Sequence, residues 1–395
     1  MGIKAYRGIV FWPRTIYINM NEIRVMHISE SFGWSGGAVQ ALALAIELKK
    51  KDVKNIIACP ENGDLWKKAN AENFEVIHFR PKRDYDIFQA LKLAKLLDEK
   101  NIQILHAHHP KAHAMGLMAK VFSRSKPIFI VTRRVSHPIL PHFFARLKYI
   151  NKFINGYIAV ADSIKKILLD YGIEENKVVT VYSGVDTAKF TPQEPNNKIL
   201  EELKLPIGAK TVGLIGNFSE HKGQKILLKA AIEILKKREN TIFVFAGRNT
   251  DSSEMRELAK SIGVPEDKMR LLGLRSDVSD IISTLSLSVN CAIKGEALSG
   301  SIRESMAMGI PVIAGDISGN KEIVINGKTG ILYTPGDWQA LVKNILSILD
   351  NEQKTKEFCS NGIKFVRDNF SSEIMGDKIY AYYKRLLTVH KVSGS

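Results

Sequence analysis

The 395-residue sequence predicts an α/β protein of two doubly wound, mostly parallel-sheet domains that face each other across a cleft. Three observations lead there. Short apolar runs alternate with helix-period patterns through both halves of the chain, the pattern of strands joined by crossover helices. The stretch Thr187 to Gly208, with Pro192, Pro195 and Pro206, breaks that alternation near the middle, and the alternation then restarts. The length suits two domains at roughly 100 to 200 residues each. In such sheets both faces are covered by helices, and ligands bind beyond the carboxyl ends of the strands.

The elements follow in order. Ile23 to Ile28 is the first strand, followed by a Gly-rich loop and a helix over Ala38 to Lys50. Lys54 to Ala58 and Glu75 to Phe79 are apolar runs short enough to be strands, and Asp86 to Lys100 has the 3.6-residue period of a helix. Ile102 to His106, a helix over Ala112 to Phe122, and Ile128 to Thr132 continue the series. Tyr157 to Val160 precedes a helix with Asp162 or Ser163 as N-cap and Gly172 as its end. The second series runs Thr211 to Ile215, helix Gln224 to Lys237, Thr241 to Ala246, helix Ser252 to Ile262, Met269 to Leu272, Leu285 to Asn290, Pro311 to Ala314 and Gly330 to Tyr333. The expected division is an N-terminal domain over 21–190 and a C-terminal domain over 191–370, with 1–20 an extension. Residues 371–395 carry a last helix, whose apolar face includes Ile379, Tyr383 and Leu387.

Hydrophobic residues make up 45% and charged residues 25%, which excludes disordered and fibrous classes. The longest stretch free of charge, Ser31 to Ile46, has 16 residues and is broken by glycines, short of the ~20 a membrane span needs. Cys59, Cys291 and Cys359 lack metal-ligand or disulfide spacing, and the first 20 residues lack a signal-peptide core, so a cytoplasmic location is expected.

Net charge is +16, and it is uneven: residues 1–190 hold 29 basic and 17 acidic side chains, residues 191–395 hold 28 and 24. Between Glu99 and Asp162 ten Lys or Arg occur and no acid. Such a field draws anionic partners. Nucleic acid is not expected, because no zinc-finger, RRM-type or basic-repeat signature accompanies the charge. Phe143, Phe144, Leu147 and Ile150 with Arg146, Lys148 and Lys152 fit either an amphipathic helix at an anionic membrane surface or a stripe packed on the core.

Several loops carry candidate chemistry. Gly36 and Gly37 open a helix after the first strand, where backbone amides can approach an anion. Gly216 to Gly223 joins a strand to a helix and places Lys222 at the helix start, beside Asn217. His106, His108 and His109 end a strand; hydrogen bonding to substrate is preferred over metal, because no second cluster supplies further ligands. Asp84-Tyr85-Asp86 has the spacing of a cation-binding pair, but Asp86 as a helix N-cap explains it better. Glu296 and Glu304 flank Ser299-Gly300-Ser301, a second set of helix-start amides; Ser301 with Glu304 fits a capping box, whereas no structural role suits Glu296.

Together with Tyr182-Ser183-Gly184-Val185-Asp186 and the run Ser305 to Ala314, these motifs resemble the retaining glycosyltransferases of the GT-B fold, group-1 family, over about Ile23 to Phe370. The resemblance implies two Rossmann-like domains, with a nucleotide-sugar donor (UDP-, GDP- or ADP-sugar) in the cleft. It further implies a glycan or glycolipid acceptor on the N-terminal domain, no cofactor and no metal. By it, Lys222 binds the diphosphate, Glu296 the donor-sugar hydroxyls and Glu304 the ribose. The Gly36-Gly37 amides lie near the phosphates, His108 near the transferred sugar, Arg275 near the base, and the last helix crosses back to the N-terminal domain. Glu296, Lys222 and His108 are the expected catalytic set; Asn217, Ser299, Gly300 and Ser301 complete the donor site. Three positions depart from the family: Asn217 stands where many relatives have arginine, Ala297 where glycine is usual, and Arg303 where an apolar residue is usual. The expected activity is transfer to an acidic or lipid-linked glycan in lipopolysaccharide or polysaccharide assembly, at the inner face of the membrane. A sugar-nucleotide epimerase and a nonenzymatic nucleotide-sugar or anionic-surface binding protein are the alternatives.

Overall fold

The computed structural model describes residues 22–392; the expected extension over 1–20 lies outside them. Seven parallel strands form the first sheet: β1 (Arg24–Ile28), β2 (Lys54–Cys59), β3 (Glu75–His78), β4 (Ile104–Ala107), β5 (Ile128–Arg133), β6 (Gly156–Ala159) and β7 (Val178–Thr180). Their order is β3-β2-β1-β4-β5-β6-β7. Six strands form the second: β8 (Lys210–Ile215), β9 (Thr241–Ala246), β10 (Met269–Leu271), β11 (Leu287–Asn290), β12 (Val312–Gly315) and β13 (Ile331–Tyr333), in the order β10-β9-β8-β11-β12-β13. Central strands are buried on both faces, which is why they read as continuous apolar runs rather than alternating ones.

In each sheet the strand order reverses at the first strand of the series. Met26 of β1 pairs with Ile56 on one side and Leu105 on the other, and Val212 of β8 lies between Phe243 and Leu287. Crossover helices leave on opposite faces at such a point and open a crevice at the carboxyl end. The loops that follow β1, β4, β8 and β11 are the ones the motifs occupy.

Each sheet has its own apolar core, around Phe129 and Tyr157 in the first and Phe243 and Phe245 in the second. A third cluster joins Val185 and Phe190 of the connecting segment to Met306, Val366 and Phe370. The last helix, Ser372–Val392, buries Met375, Ile379 and Tyr383 against Val25, Leu44 and Ile130 of the first sheet and its first helix.

Local readings differ from the structure at three places. The helix expected to be capped by Asp162 or Ser163 runs Asp162–Asp170 with Ala161 at the cap position and no side-chain cap bond. Its end amides are taken instead by Glu322 of the second domain, which accepts from the Asp162 and Ser163 N–H groups at 2.7 and 2.9 Å. The helix Gly300–Ala307 starts too early for a capping box: Ser299 is the N-cap residue, and Glu304 falls in the second turn. The Ser299 hydroxyl serves Asn290 Nδ2 at 3.0 Å rather than the helix amides. The helix Phe143–Tyr149 does form, but only Ala145 is buried in it; Phe143 and Phe144 face solvent, so the core-packed reading of that stripe fails. Asp86 is the N-cap of the helix Ile87–Glu99, accepting from Gln89 N at 3.2 Å, and needs no cation to explain it.

Candidate functional site

The crevices of the two sheets meet in one cavity of about 420 Å³, lined by both domains. Its floor on the N-terminal side begins with the helix Gly36–Lys49, capped by Ser35, whose hydroxyl accepts from Ala38 N. Gly36 has open space where a side chain would stand, whereas a Cβ on Gly37 would run into the His109 ring. His109 is anchored there by the hydroxyls of Ser29 at 2.9 Å and Ser35 at 3.2 Å.

His108 is held by a chain of buried polar groups. Asn55 Nδ2 donates to the carbonyls of Val53 and Ala45, which turns Asn55 Oδ1 toward His27 Nε2 at 3.0 Å. An amide oxygen only accepts, so His27 Nε2 carries the proton. Burial lowers the His27 pKa to about 4, so the ring is neutral and its Nδ1 accepts. His108 Nε2, 3.0 Å away, is therefore the donor. Burial, and after it the neighbouring His106, His27 and Arg134, keep His108 neutral as well. The remaining nitrogen, Nδ1, thus bears a lone pair; it is buried without a partner on a residue that lines the cavity. It suits a hydroxyl donor.

His27, His106 and His108 are the one group among the described residues placed to hold a metal. The third histidine comes from β1, which local spacing could not reveal. Both nitrogens of His106, however, bond Tyr383 Oη and Thr132 Oγ1 at 2.6 Å, and His27 is fully engaged. One unpartnered nitrogen is too few for a three-histidine site.

On the C-terminal side Lys222 closes a single turn, Glu220–Lys222, before the helix Gln224–Lys237. Gly223, at φ +73°, is required because a Cβ would strike the Cys291 carbonyl. The turn brings Lys222 Nζ onto Glu296 Oε1 in an ion pair. Glu304 lines the cavity, and burial raises its pKa although Arg303 and Lys189 oppose the rise.

Of the expected site residues, Gly36, Gly37, His108, Gly300 and Glu304 line the cavity. Lys222 and Glu296 pair with each other next to Ala297, a lining residue. Ser299 and Ser301 share a hydroxyl contact at 3.3 Å behind Gly300. Asn217 is engaged within its own domain, where its Oδ1 accepts from Arg248 N at 3.0 Å and its carbonyl from Gln224 Nε2 at 3.0 Å. Arg275 is outside the lining, clamped between the carboxylates of Glu202 and Asp277. Sequence reasoning gave no site role to Gln40, Arg133, Arg134 and Ser183, all of which line the cavity. The signal was the acid-free stretch that contains the two adjacent arginines.

The cavity between the two doubly wound domains has a helix start on each wall, Gly36–Gly37 on one side and Gly300 on the other, where an anionic ligand can lie. The sequence model for "Glycosyl transferases group 1" matches residues 196–365, and that for "Glycosyltransferase Family 4" matches residues 34–189. The C-terminal half of the chain thus matches the group-1 glycosyltransferase model, and the N-terminal half a second glycosyltransferase model. The capsular polysaccharide biosynthesis glycosyltransferase CapM of Staphylococcus aureus is 26% identical over 386 residues, 93% of this chain and 98% of CapM. The phosphatidyl-myo-inositol mannosyltransferase of Mycobacterium leprae is 24% identical over 377 residues, 93% of each chain. The crystal structure of Anabaena Alr3699/HepE in complex with UDP and glucose superposes with a TM-score of 0.80 at 19% identity, covering 92% of this chain and 100% of that one. The fold is GT-B.

Proposed function

We propose that this glycosyltransferase moves a sugar, with retention of configuration, from a nucleotide-sugar donor in the cavity to an acidic or lipid-linked glycan in cell-envelope polysaccharide or lipopolysaccharide assembly. The observation that carries the reading is the single cavity shared by the switch-point loops of both domains, with the Lys222–Glu296 pair at its edge. Sugar transfer develops negative charge on the departing diphosphate and positive charge on the anomeric carbon. Lys222 and the amides at the starts of the helices Gly36–Lys49 and Gly300–Ala307 supply the positive side. Glu296, oriented by its ion pair, accepts hydrogen bonds from donor-sugar hydroxyls, Glu304 from the ribose, and His108 Nδ1 from a hydroxyl of the transferred sugar. Among the described residues Glu304 is the sole carboxylate in the cavity lining, and no carboxylate stands on the N-terminal wall to act as the nucleophile of a double displacement. As the family resemblance implies, the acceptor attacks from the face the diphosphate leaves, and the leaving phosphate takes the acceptor's proton. The reading calls on no cofactor. It places Arg275 toward the base and the nucleotide-sugar class of the Anabaena complex, UDP, first among candidates.

Support for a membrane-borne acceptor comes from one surface. Phe143 and Phe144 are 73% and 60% exposed and pack on each other, Tyr85 packs on Phe144, and the same helix carries the exposed Arg146. An exposed aromatic cluster on a helix that carries an exposed arginine, in the basic half of the sequence, suits an anionic leaflet.

Thermal shift with UDP-, GDP- and ADP-sugars tests the donor reading, since a ligand at 100 times its dissociation constant stabilises by ~2.7 kcal/mol. One base should raise Tm, and with an acceptor extract Lys222→Ala and Glu296→Gln should each lower turnover at least tenfold, about 1.4 kcal/mol of barrier. No shift with any donor, or full turnover in both variants, would overturn the proposal.

A further inference from the structure

Two arginines line the cavity from opposite domains. Arg134 follows β5 in the first domain, and Arg303 lies on the helix Gly300–Ala307 in the second. Both converge on Ser183: Arg134 Nη1 donates to its hydroxyl at 3.0 Å, and Arg303 Nη1 donates to its carbonyl. Arg303 also donates from Nε to the Ser299 carbonyl at 3.2 Å and is only 3% exposed. Arg134 Nε is buried and has no partner. Neither guanidinium forms an ion pair with any carboxylate among the described residues, although ion pairs hold many of the other basic side chains. Burial lowers the pKa of each, Arg134 to about 9 with the charge of Arg303 adding to the fall, and Arg303 to about 10 although Glu304 and Glu296 oppose it. Glu304 and Glu296 offset part of the Arg303 charge, whereas Arg134 has the like charge of Arg303 beside it, and a charge so placed destabilises the protein. The forks of N–H donors on the two arginines match an oxyanion, which neutralises both.

We propose that Arg134 and Arg303 form an anion subsite between the domains, which takes a phosphate or carboxylate carried by a substrate. The inference rests on reading the cavity as the substrate cleft. An arginine from each domain makes the anion a bridge, so its binding favours the closed arrangement. Two sources share this chemistry: the diphosphate of the donor, and an acidic group on the acceptor or transferred sugar. Asn217 carries no charge and is engaged with Arg248 and Gln224, so it offers a diphosphate no cation.

The test measures binding of inorganic phosphate, pyrophosphate, glucuronate, UDP and uridine by calorimetry and thermal shift. The proteins are wild type, Arg134→Met, Arg303→Met, the two lysine replacements and Lys222→Ala. The expected result is that at least one of the three simple anions binds wild type in a salt-dependent manner. Each methionine variant weakens it at least tenfold, the lysine variants restore part of the affinity, and uridine binding does not change. Loss with pyrophosphate and UDP assigns the donor diphosphate; loss with phosphate or glucuronate alone, UDP being unaffected, assigns an acidic group elsewhere. Either outcome stands whether or not sugar transfer is observed, since no turnover is read. The proposal is overturned if no anion binds, if the folded lysine and methionine variants bind it as wild type does, or if Lys222→Ala alone abolishes binding.

Discussion

His108 shows how much of a site is decided by partners out of view of the local sequence. Its free nitrogen is an acceptor only because Asn55 and His27 pass one hydrogen-bond direction along a buried chain. That chain is neutral, and neutrality has a cost in acid. The His27 pKa is lowered from 6.5 to about 4, so below pH 6.5 the unfolded chain binds a proton that the fold refuses, and stability falls as pH drops toward 4. His27 alone should remove roughly 3 kcal/mol over that window. Urea unfolding at pH 7.5 and 4.5 checks it: wild type should lose stability, and His27→Phe should lose less. Equal slopes would mean that the histidines already carry charge. Glu304 poses a separate test. Since the structure forms no capping box, Glu304→Ala should keep folding stability within ~0.5 kcal/mol while lowering turnover severalfold. A loss near 1 kcal/mol with full activity would restore the capping role.

At the scale of elements, the patterns that read well were those whose cause is local. Apolar runs of five or six residues gave β2, β5 and β9 because strands buried on both faces need nothing else. β7, three residues at the sheet edge, was too short to carry a pattern. The helix Phe143–Tyr149 had an apolar stripe that periodicity could assign to core or to surface, and only the tertiary structure settles the matter: Phe143 and Phe144 face solvent, with Tyr85 against Phe144. Because these side chains are exposed, Phe143→Ser with Phe144→Ser should leave Tm unchanged. Wild type should float with liposomes that contain anionic lipid, and the double variant should bind them at least fivefold less. Equal recovery from anionic and neutral liposomes would remove the membrane from the proposed function.

The whole molecule is held closed by contacts between sequence-distant parts. Gln40 exchanges two hydrogen bonds with Gly184, at 2.7 and 2.8 Å, tying the first helix to the connecting segment. Glu322 stands in as the cap of a helix in the other domain. Charge-assisted bonds of that kind are stronger than neutral ones, but their loss affects only the closed form. Glu322→Ala should shift the balance toward the open form by about 1 kcal/mol, roughly fivefold. Small-angle scattering without ligand should show a larger radius of gyration than wild type, with the two domain cores still melting normally. An unchanged radius would mean that the apolar cluster around Val185 and Phe370 sets the closure by itself.

By itself the sequence determined the alternation of strands and helices, the two-domain α/β fold, the loops at the strand ends and the family they resemble. Each of these depends on residues within a few positions of one another, where hydrophobic period, glycines and caps act directly. Only the tertiary structure decided which side chains share the cavity. It drew Lys222 onto Glu296, put His27 behind His108, set Arg134 opposite Arg303 and gave Asn217 and Arg275 partners within their own domain. The reason is physical: burial and long-range pairing set charge, proton position and accessibility, and neither leaves a trace at the spacing of neighbours along the chain.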